Sequence, residues 1–403
     1  MRRHTIDCLF VRTKIEDRVS RVVIAGAGPA GSSLAIRLAH YGFDVTLIER
    51  ERFPRHKLCG EFISPESLAH FQELRVRDGL LSLGGQRIYK TRFSDRKGRS
   101  FVISSGILDG EGFALSLSRY EMDRCLMERA KALGVRVLDG TRVANVIADG
   151  ESMTGVEAVG DERETIIADI FVDATGRASA LRKAADRVAG GPGEAGKPLA
   201  IAFKTHLENV RIEPGTCEIF FFPGGYGGIT SIEAGLANLC FMMRASKARE
   251  LGADADVLLR KAVCQNRTAA SYLEGADRMR DWLAVSIGSF GRTPRPRMRN
   301  LLSVGDSAAF IDPFTGSGML MALEGSKLLA EMINSASSGP ALIQEAYDAA
   351  FARVFGRRLR VCSLLRRAAF LPVVPSIAIS LLGSSRRGRN YLAGATRSEA
   401  ASG

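Results

Sequence analysis

The chain has 403 residues, 46% hydrophobic and 25% charged, an ordinary globular composition that excludes a disordered or fibrous polymer and leaves room for two cored lobes. The 56 Lys and Arg against 44 Asp and Glu give a net charge of +12, which favours anionic partners, but no nucleic-acid-binding module accompanies it and no nucleic acid is expected. Seven cysteines, scattered and without a Cys-x-x-Cys pair, exclude a disulfide framework and a zinc site; no metal is expected, and a reducing cytoplasm fits.

Residues 1–19 are interrupted by Asp7, Arg12, Lys14, Glu16 and Asp17, too polar for a signal peptide, and read as an N-terminal extension. Residues 22–25 form an apolar run suited to a buried parallel strand, and Gly26, Gly28 and Gly31 follow at the spacing where a strand turns sharply into a helix. Gly26 permits the turn, Gly28 lets a pyrophosphate approach the backbone, and Gly31 lets the helix pack on the strand. Pro29 and Ala30 open that helix, whose free N–H groups favour phosphate. A second strand, 45–48, ends in Glu49 and Arg50; a carboxylate there accepts both hydroxyls of an adenosine ribose. FAD or NAD is the expected ligand.

Next come Leu58-Cys59-Gly60-Glu61, a thiol and a carboxylate about a glycine, and a helix start at Ser64-Pro65. Residues 86–93 and 99–103 predict a hairpin, and Leu117-Ser118-Arg119 starts a second helix with Asp123 one turn on. Residues 154–159 and 163–168 predict another hairpin, and the strand 170–173 ends in Asp173-Ala174-Thr175-Gly176-Arg177. The Gly- and Pro-rich stretch 190–196 marks a lobe boundary. Four segments, 199–207, 216–222, 227–233 and 236–243, predict consecutive antiparallel strands, a pocket wall on which Phe220, Phe222 and Tyr226, with Glu61, face a small apolar substrate. Residues 245–284 read as helix ending at Trp282. A buried strand, 301–304, delivers Asp306, and Pro313, Gly316, Gly318 and Met319 mark the start of a further helix. The apolar stretch 370–382, within the arginine-flanked segment 364–390, either caps the pocket or makes a peripheral membrane contact.

The pattern predicts an α/β fold, α+β overall: a Rossmann-like FAD-binding lobe from 20–75, 115–189 and 285–335, an antiparallel β-sheet substrate lobe from 76–114 and 190–284, and a helical C-terminal segment, 336–403.

The glycine turn with Glu49, the Asp173 to Arg177 segment, and Gly305-Asp306 followed by Pro313 and the Gly316/Gly318 helix start together resemble the glutathione-reductase-type FAD oxidoreductases, in the branch of aromatic hydroxylases, geranylgeranyl reductases and flavin-dependent halogenases. The resemblance implies that Gly26, Gly28 and Gly31 hold the pyrophosphate and Glu49 the ribose. It gives Arg50, Arg119, Asp173, Gly176 and Pro313 cofactor contacts, Asp306 the flavin-side ribityl or pyrophosphate region, and the amides from Gly316 to Met319 the pyrimidine edge of the flavin. Lys57-Leu58-Cys59-Gly60 is similar to the Lys-x-Cys-Gly of the reductases, which makes Cys59 the candidate catalytic residue. The aromatic strand motifs of both reductases and halogenases are absent after Pro223, and Lys90 falls only loosely where a halogenase places its lysine. The function so implied is an NAD(P)H-dependent monooxygenase acting on an aromatic or isoprenoid-like substrate through a flavin hydroperoxide. Two alternatives stand beside it: a reductase of carbon–carbon double bonds, and a membrane-associated flavin-binding protein without turnover. With no second nucleotide motif, NADPH or NADH docks transiently as electron donor, or a separate donor protein serves.

Overall fold

The computed structural model describes residues 21–108, 111–191, 197–336, 340–371 and 373–395. The N-terminal extension and most of the 190–196 stretch lie outside the described residues.

A five-stranded parallel sheet runs in the order Leu301–Ser303, Ile170–Asp173, Arg21–Ala25, Asp44–Glu49, Arg136–Asp139. Its central strand is apolar at every position after Arg21 because both faces are covered. Val22 and Ile24 join the core beneath the helices Pro29–His40, Arg119–Ala132 and Gly318–Ser335, while Val23 and Ala25 face the antiparallel sheet of Arg142–Asp149, Ser152–Val159 and Arg163–Ile167. Parallel pairing sets the strand ends that precede Gly26, Thr175 and Gly305 along one edge of the sheet, where ligands of open α/β sheets bind.

The larger sheet is eight-stranded: Asp277–Arg278, Ala200–Glu208, Ala237–Arg244, Gly225–Ser231, Thr216–Phe222, Lys90–Ser94 and Ser100–Ser104 in order, with Leu283–Ile287 also on Ala200–Glu208. Of the four strands expected to follow one another, Thr216–Phe222, Gly225–Ser231 and Ala237–Arg244 do so as an antiparallel meander, and Ala200–Glu208 does not. Ala200–Glu208 pairs with Ala237–Arg244, and Thr216–Phe222 runs parallel to Lys90–Ser94, because residues 209–215 carry the chain across the sheet instead of turning it back. The hairpin of Lys90–Ser94 and Ser100–Ser104 is present, but Gln86–Ile88 leaves it for a small sheet with Phe62–Ile63 and Ala114–Ser116.

Residues 245–284 are not one helix. Ala245–Glu250, Ala255–Lys261 and Arg267–Leu273 are separated by new N-caps, the Asp254 carboxylate accepting from the Val257 N–H and the Asn266 side chain from the Ala269 N–H. Trp282 then leads into a strand and packs edge-on against Phe203 and Phe241. The C-terminal segment is Pro340–Ala369, Val374–Ser384 and Arg386–Ala395, the first two crossing at 114°. Among the described residues no single helix is long and apolar enough to cross a membrane.

Candidate active site

One continuous cavity of about 940 Å³ runs from the glycine turn to the C-terminal helices. At its polar end stand Gly26, Gly28, Pro29 and Ala30, Glu49 and Arg50, and Arg119. The three glycines do separate work. A Cβ on Gly26, whose φ is +105°, would stand 2.3 Å from the Ala174 carbonyl oxygen, and one on Gly31 would stand 1.9 Å from that of Gly26. At Gly28 the nearest atom is Arg119 Nη2 at 3.6 Å, so the space its missing side chain leaves is cavity. The helix Pro29–His40 has no side-chain cap, and its N–H groups open onto that space beside a buried guanidinium. A pyrophosphate fits the combination.

Arg119 is no surface ion pair. Its Nε and Nη2 donate to the two oxygens of Asp123 at 2.7 Å, and Arg55 Nη1 donates to the same carboxylate at 2.7 Å. All three residues are buried. Arg55 also reaches Glu49 Oε2 at 3.4 Å, and Glu49 accepts the N–H of Ala27 at 2.9 Å and of Glu51 at 3.1 Å. Glu49 is thus tied to the glycine turn, while Arg50 is exposed and pairs with Glu51.

Gly176, Asp306, Pro313, Gly316, Gly318 and Met319 line the middle of the cavity. Asp173 does not: its buried carboxylate accepts from Thr175 N and Oγ1, Arg182 N and Ser307 Oγ. It is a positioning residue that stitches two cavity turns together, in place of the cofactor contact expected of it. Burial pushes the Asp306 carboxyl up to about 6, against the opposing charge of Arg177, Arg119 and Lys57. The uncapped start of Gly318–Ser335 opens onto the same space.

Cys59 lines the cavity, its Sγ 3.4 Å from the Glu61 N–H. Behind it lies a buried polar cluster. Glu61 accepts from Lys204 Nζ, meets His206 Nε2 at 2.9 Å and accepts the Arg119 N–H at 2.9 Å, while Lys204 also donates to the Lys57 carbonyl at 3.0 Å. Burial raises the Glu61 carboxyl, but the His206 hydrogen bond and the Lys204 charge outweigh it and hold the group below the usual carboxylate range. Glu61 has φ +55°, a conformation costing about 1–2 kcal/mol; its fixed partners hold it there. His56, stacked on Tyr120 and edge-on to His206, is lowered to about 4 by burial and by Arg280, and is neutral at pH 7. Lys204 and His206 were not singled out from the sequence. Their i, i+2 spacing in an apolar strand was the available signal, since it puts both on one face.

The far end of the cavity is apolar, with Phe93, Phe101, Phe221 and Phe314 opposite Ala369, Pro375, Ala378, Ile379 and Leu382 of the C-terminal helices. Phe220 and Phe222 are not there. The pleat turns them to the other face, into a core with Phe203 and Phe241, and Phe221 between them meets the cavity. Tyr226 lines the cavity, donates to Asp312 Oδ1 and packs among Phe221, Phe314 and Phe370. Lys90 forms an ion pair with Glu213 and does not reach the cavity.

A glycine turn, an uncapped helix start and a buried arginine over a parallel sheet, opening into an apolar arm, define a dinucleotide-binding redox fold. The chain belongs to the FAD binding domain family, which matches residues 19–352, and the protein is an FAD-dependent oxidoreductase. It is 27% identical over 380 residues to the menaquinone reductase of Mycolicibacterium smegmatis, covering 89% of this chain and 87% of that one. It is 28% identical over 350 residues to the digeranylgeranylglycerophospholipid reductase of Methanothrix thermoacetophila, covering 84% of each. A flavin-dependent brominase superposes with a TM-score of 0.76 at 20% identity over 93% of both chains. A geranylgeranyl bacteriochlorophyll reductase-like protein from Thermoplasma acidophilum does so at 0.76 and 19%, over 93% of this chain and 95% of that one. These structures share the fold.

A pH dependence follows from Asp306. With its value raised to about 6, the carboxyl in the free site is protonated below that pH and loses the charge that, in the role the resemblance gives it, would accept a ribityl hydroxyl. FAD affinity measured by flavin fluorescence is therefore expected to fall as pH drops through about 6. Asp306→Asn is expected to bind more weakly at neutral pH and to lose that dependence.

Proposed function

We propose that the protein reduces a carbon–carbon double bond in a long, apolar, isoprenoid-like substrate, with NADPH or NADH as transient electron donor. The observation that carries this is the apolar arm, continuous with the cofactor end and walled by aromatic rings on one side and helices on the other. It suits a hydrocarbon chain that lies along it with one bond presented at the polar end. The reductase activities for which two relatives are named, on a menaquinone and on a digeranylgeranyl lipid, support a reductase over the monooxygenase first expected.

Bound FAD supplies hydride chemistry. The chain's own residues hold and orient: Gly28, the helix start and Arg119 take the pyrophosphate, Glu49 and Asp306 the sugar hydroxyls, and the amides from Gly316 to Met319 the ring edge. The Cys59 Sγ–H holds the proton that the second carbon needs, and the Glu61, Lys204 and His206 cluster fixes its loop. Cys59→Ala is expected to lower turnover by about 10²-fold or more at unchanged flavin content. Turnover within twofold of the parent would remove Cys59 from the mechanism. The reaction type is tested by supplying NADPH or NADH and labelled oxygen: a reductase consumes no oxygen coupled to product, whereas labelled oxygen in the product would establish a monooxygenase.

A further inference from the structure

The helix Val374–Ser384 is apolar on two sides. Pro375, Ala378, Ile379 and Leu382 face the cavity, while Val373 just before it, Ile377 and Leu381 are 61%, 53% and 67% exposed. Leu364 on the preceding helix and Leu371 in the connection are also exposed, 65% and 46%. An ordinary surface helix keeps its outer face polar; this one does not.

The charge along this stretch of the chain is of one sign, though Arg358 is buried against Glu324 and Arg366 faces Asp312. Residues 349–395 contain nine arginines and no Asp, Glu or Lys. Arg367 precedes the helix and Arg386 and Arg387 follow it, all three exposed. Arg389 turns back to donate to the carbonyls of Leu382 and Gly383 at 2.7 and 3.0 Å, securing the C-terminal end of the helix. Eleven residues are too few to span a bilayer, so a helix of this kind lies in the interfacial plane with its leucines in the acyl boundary and its arginines among anionic headgroups. A second copy of the chain would bring arginines against arginines.

From the exposed apolar ridge and the exposed arginines at its two ends, we propose that the outer face of the C-terminal cap docks the protein on an anionic lipid bilayer. Docking sets the cap, whose inner face lines the cavity, against the hydrocarbon phase. It does not rest on which reaction the flavin performs.

The test is sedimentation of the FAD-loaded, full-length protein with phosphatidylcholine vesicles, with and without phosphatidylglycerol. The protein is expected to pellet with the anionic vesicles, to remain in the supernatant with the neutral ones, and to be released by salt. Neither Ile377 nor Leu381 touches the cavity, so I377S/L381S is expected to keep its flavin content and melting temperature while its partitioning falls by about tenfold or more. Arg386→Ala with Arg387→Ala is expected to weaken binding by about fivefold per arginine. Parent protein that stays in the supernatant with anionic vesicles overturns the proposal, as does parental binding by I377S/L381S. So does a concentration-dependent dimer that I377S/L381S converts to monomer, since the face would then be a self-contact. An I377S/L381S protein that lost flavin or unfolded would be replaced by the arginine pair, whose parental binding to anionic vesicles would equally refute the docking.

Discussion

Gly28→Val is expected to yield a folded protein with at least about tenfold less FAD. Gly28 has φ −78° and ψ −175°, an extended conformation that a β-branched residue adopts freely. A Cβ there meets only Arg119 Nη2, at an ordinary 3.6 Å, so the protein itself accommodates the change. What the valine fills is the space in front of the helix start, where the pyrophosphate has to stand. The neighbouring glycines should behave differently: Gly31→Ala drives a Cβ into the Gly26 carbonyl at 1.9 Å and is expected to lower the melting temperature. Flavin absorbance per protein and thermal unfolding, read together on both variants, separate a cofactor cradle from a packing constraint. Full flavin content in Gly28→Val would place the cofactor elsewhere.

Asp123→Ala is expected to destabilise the fold by about 3–5 kcal/mol, read as a lower urea midpoint. The wild-type carboxylate is fully buried and takes three hydrogen bonds of 2.7 Å from Arg119 and Arg55, so its removal takes away the carboxylate that holds the buried Arg119 guanidinium and leaves that of Arg55 with the longer 3.4 Å contact to Glu49. Burial raises the Asp123 carboxyl, but Arg119 and Arg55 outweigh it and hold the group below its usual range. The sign follows from that depression: the stabilisation is present above the unfolded-state value of 3.8 and is lost as pH falls through the lower folded value. Arg119 would also lose its fixed orientation beside Gly28, so weaker FAD binding should accompany the lower stability. A change below about 1 kcal/mol would mean that the guanidinium groups find water or other partners.

The cofactor end was legible in the sequence because its determinants are local: strand, glycine turn, helix and terminal acid follow one another within residues 21–50. The substrate wall was not. Ile219, Phe220, Phe221 and Phe222 are apolar in succession, so no polar alternation marks which parity faces the cavity, and the pleat settled it in favour of Phe221. The Glu61 cluster joins residues more than 140 apart, with Lys204 and His206 reaching Glu61 from the strand Ala200–Glu208. The division of 245–284 into short helices could have been read from Asp254 and Asn266, both good N-cap residues. The C-terminal segment could be read either as a cap or as a membrane face. One helix side lines the cavity, and the other carries the exposed patch from which docking is inferred.

The most direct test of the proposed reaction is an anaerobic single turnover. The purified flavoprotein is photoreduced, mixed with a polyprenyl substrate in detergent, and followed at the visible flavin band while the lipid is extracted for mass spectrometry. A reductase returns the oxidised band without oxygen and yields a product heavier by two hydrogens. A band that stays bleached until air is admitted, with a product heavier by one oxygen atom, would contradict it.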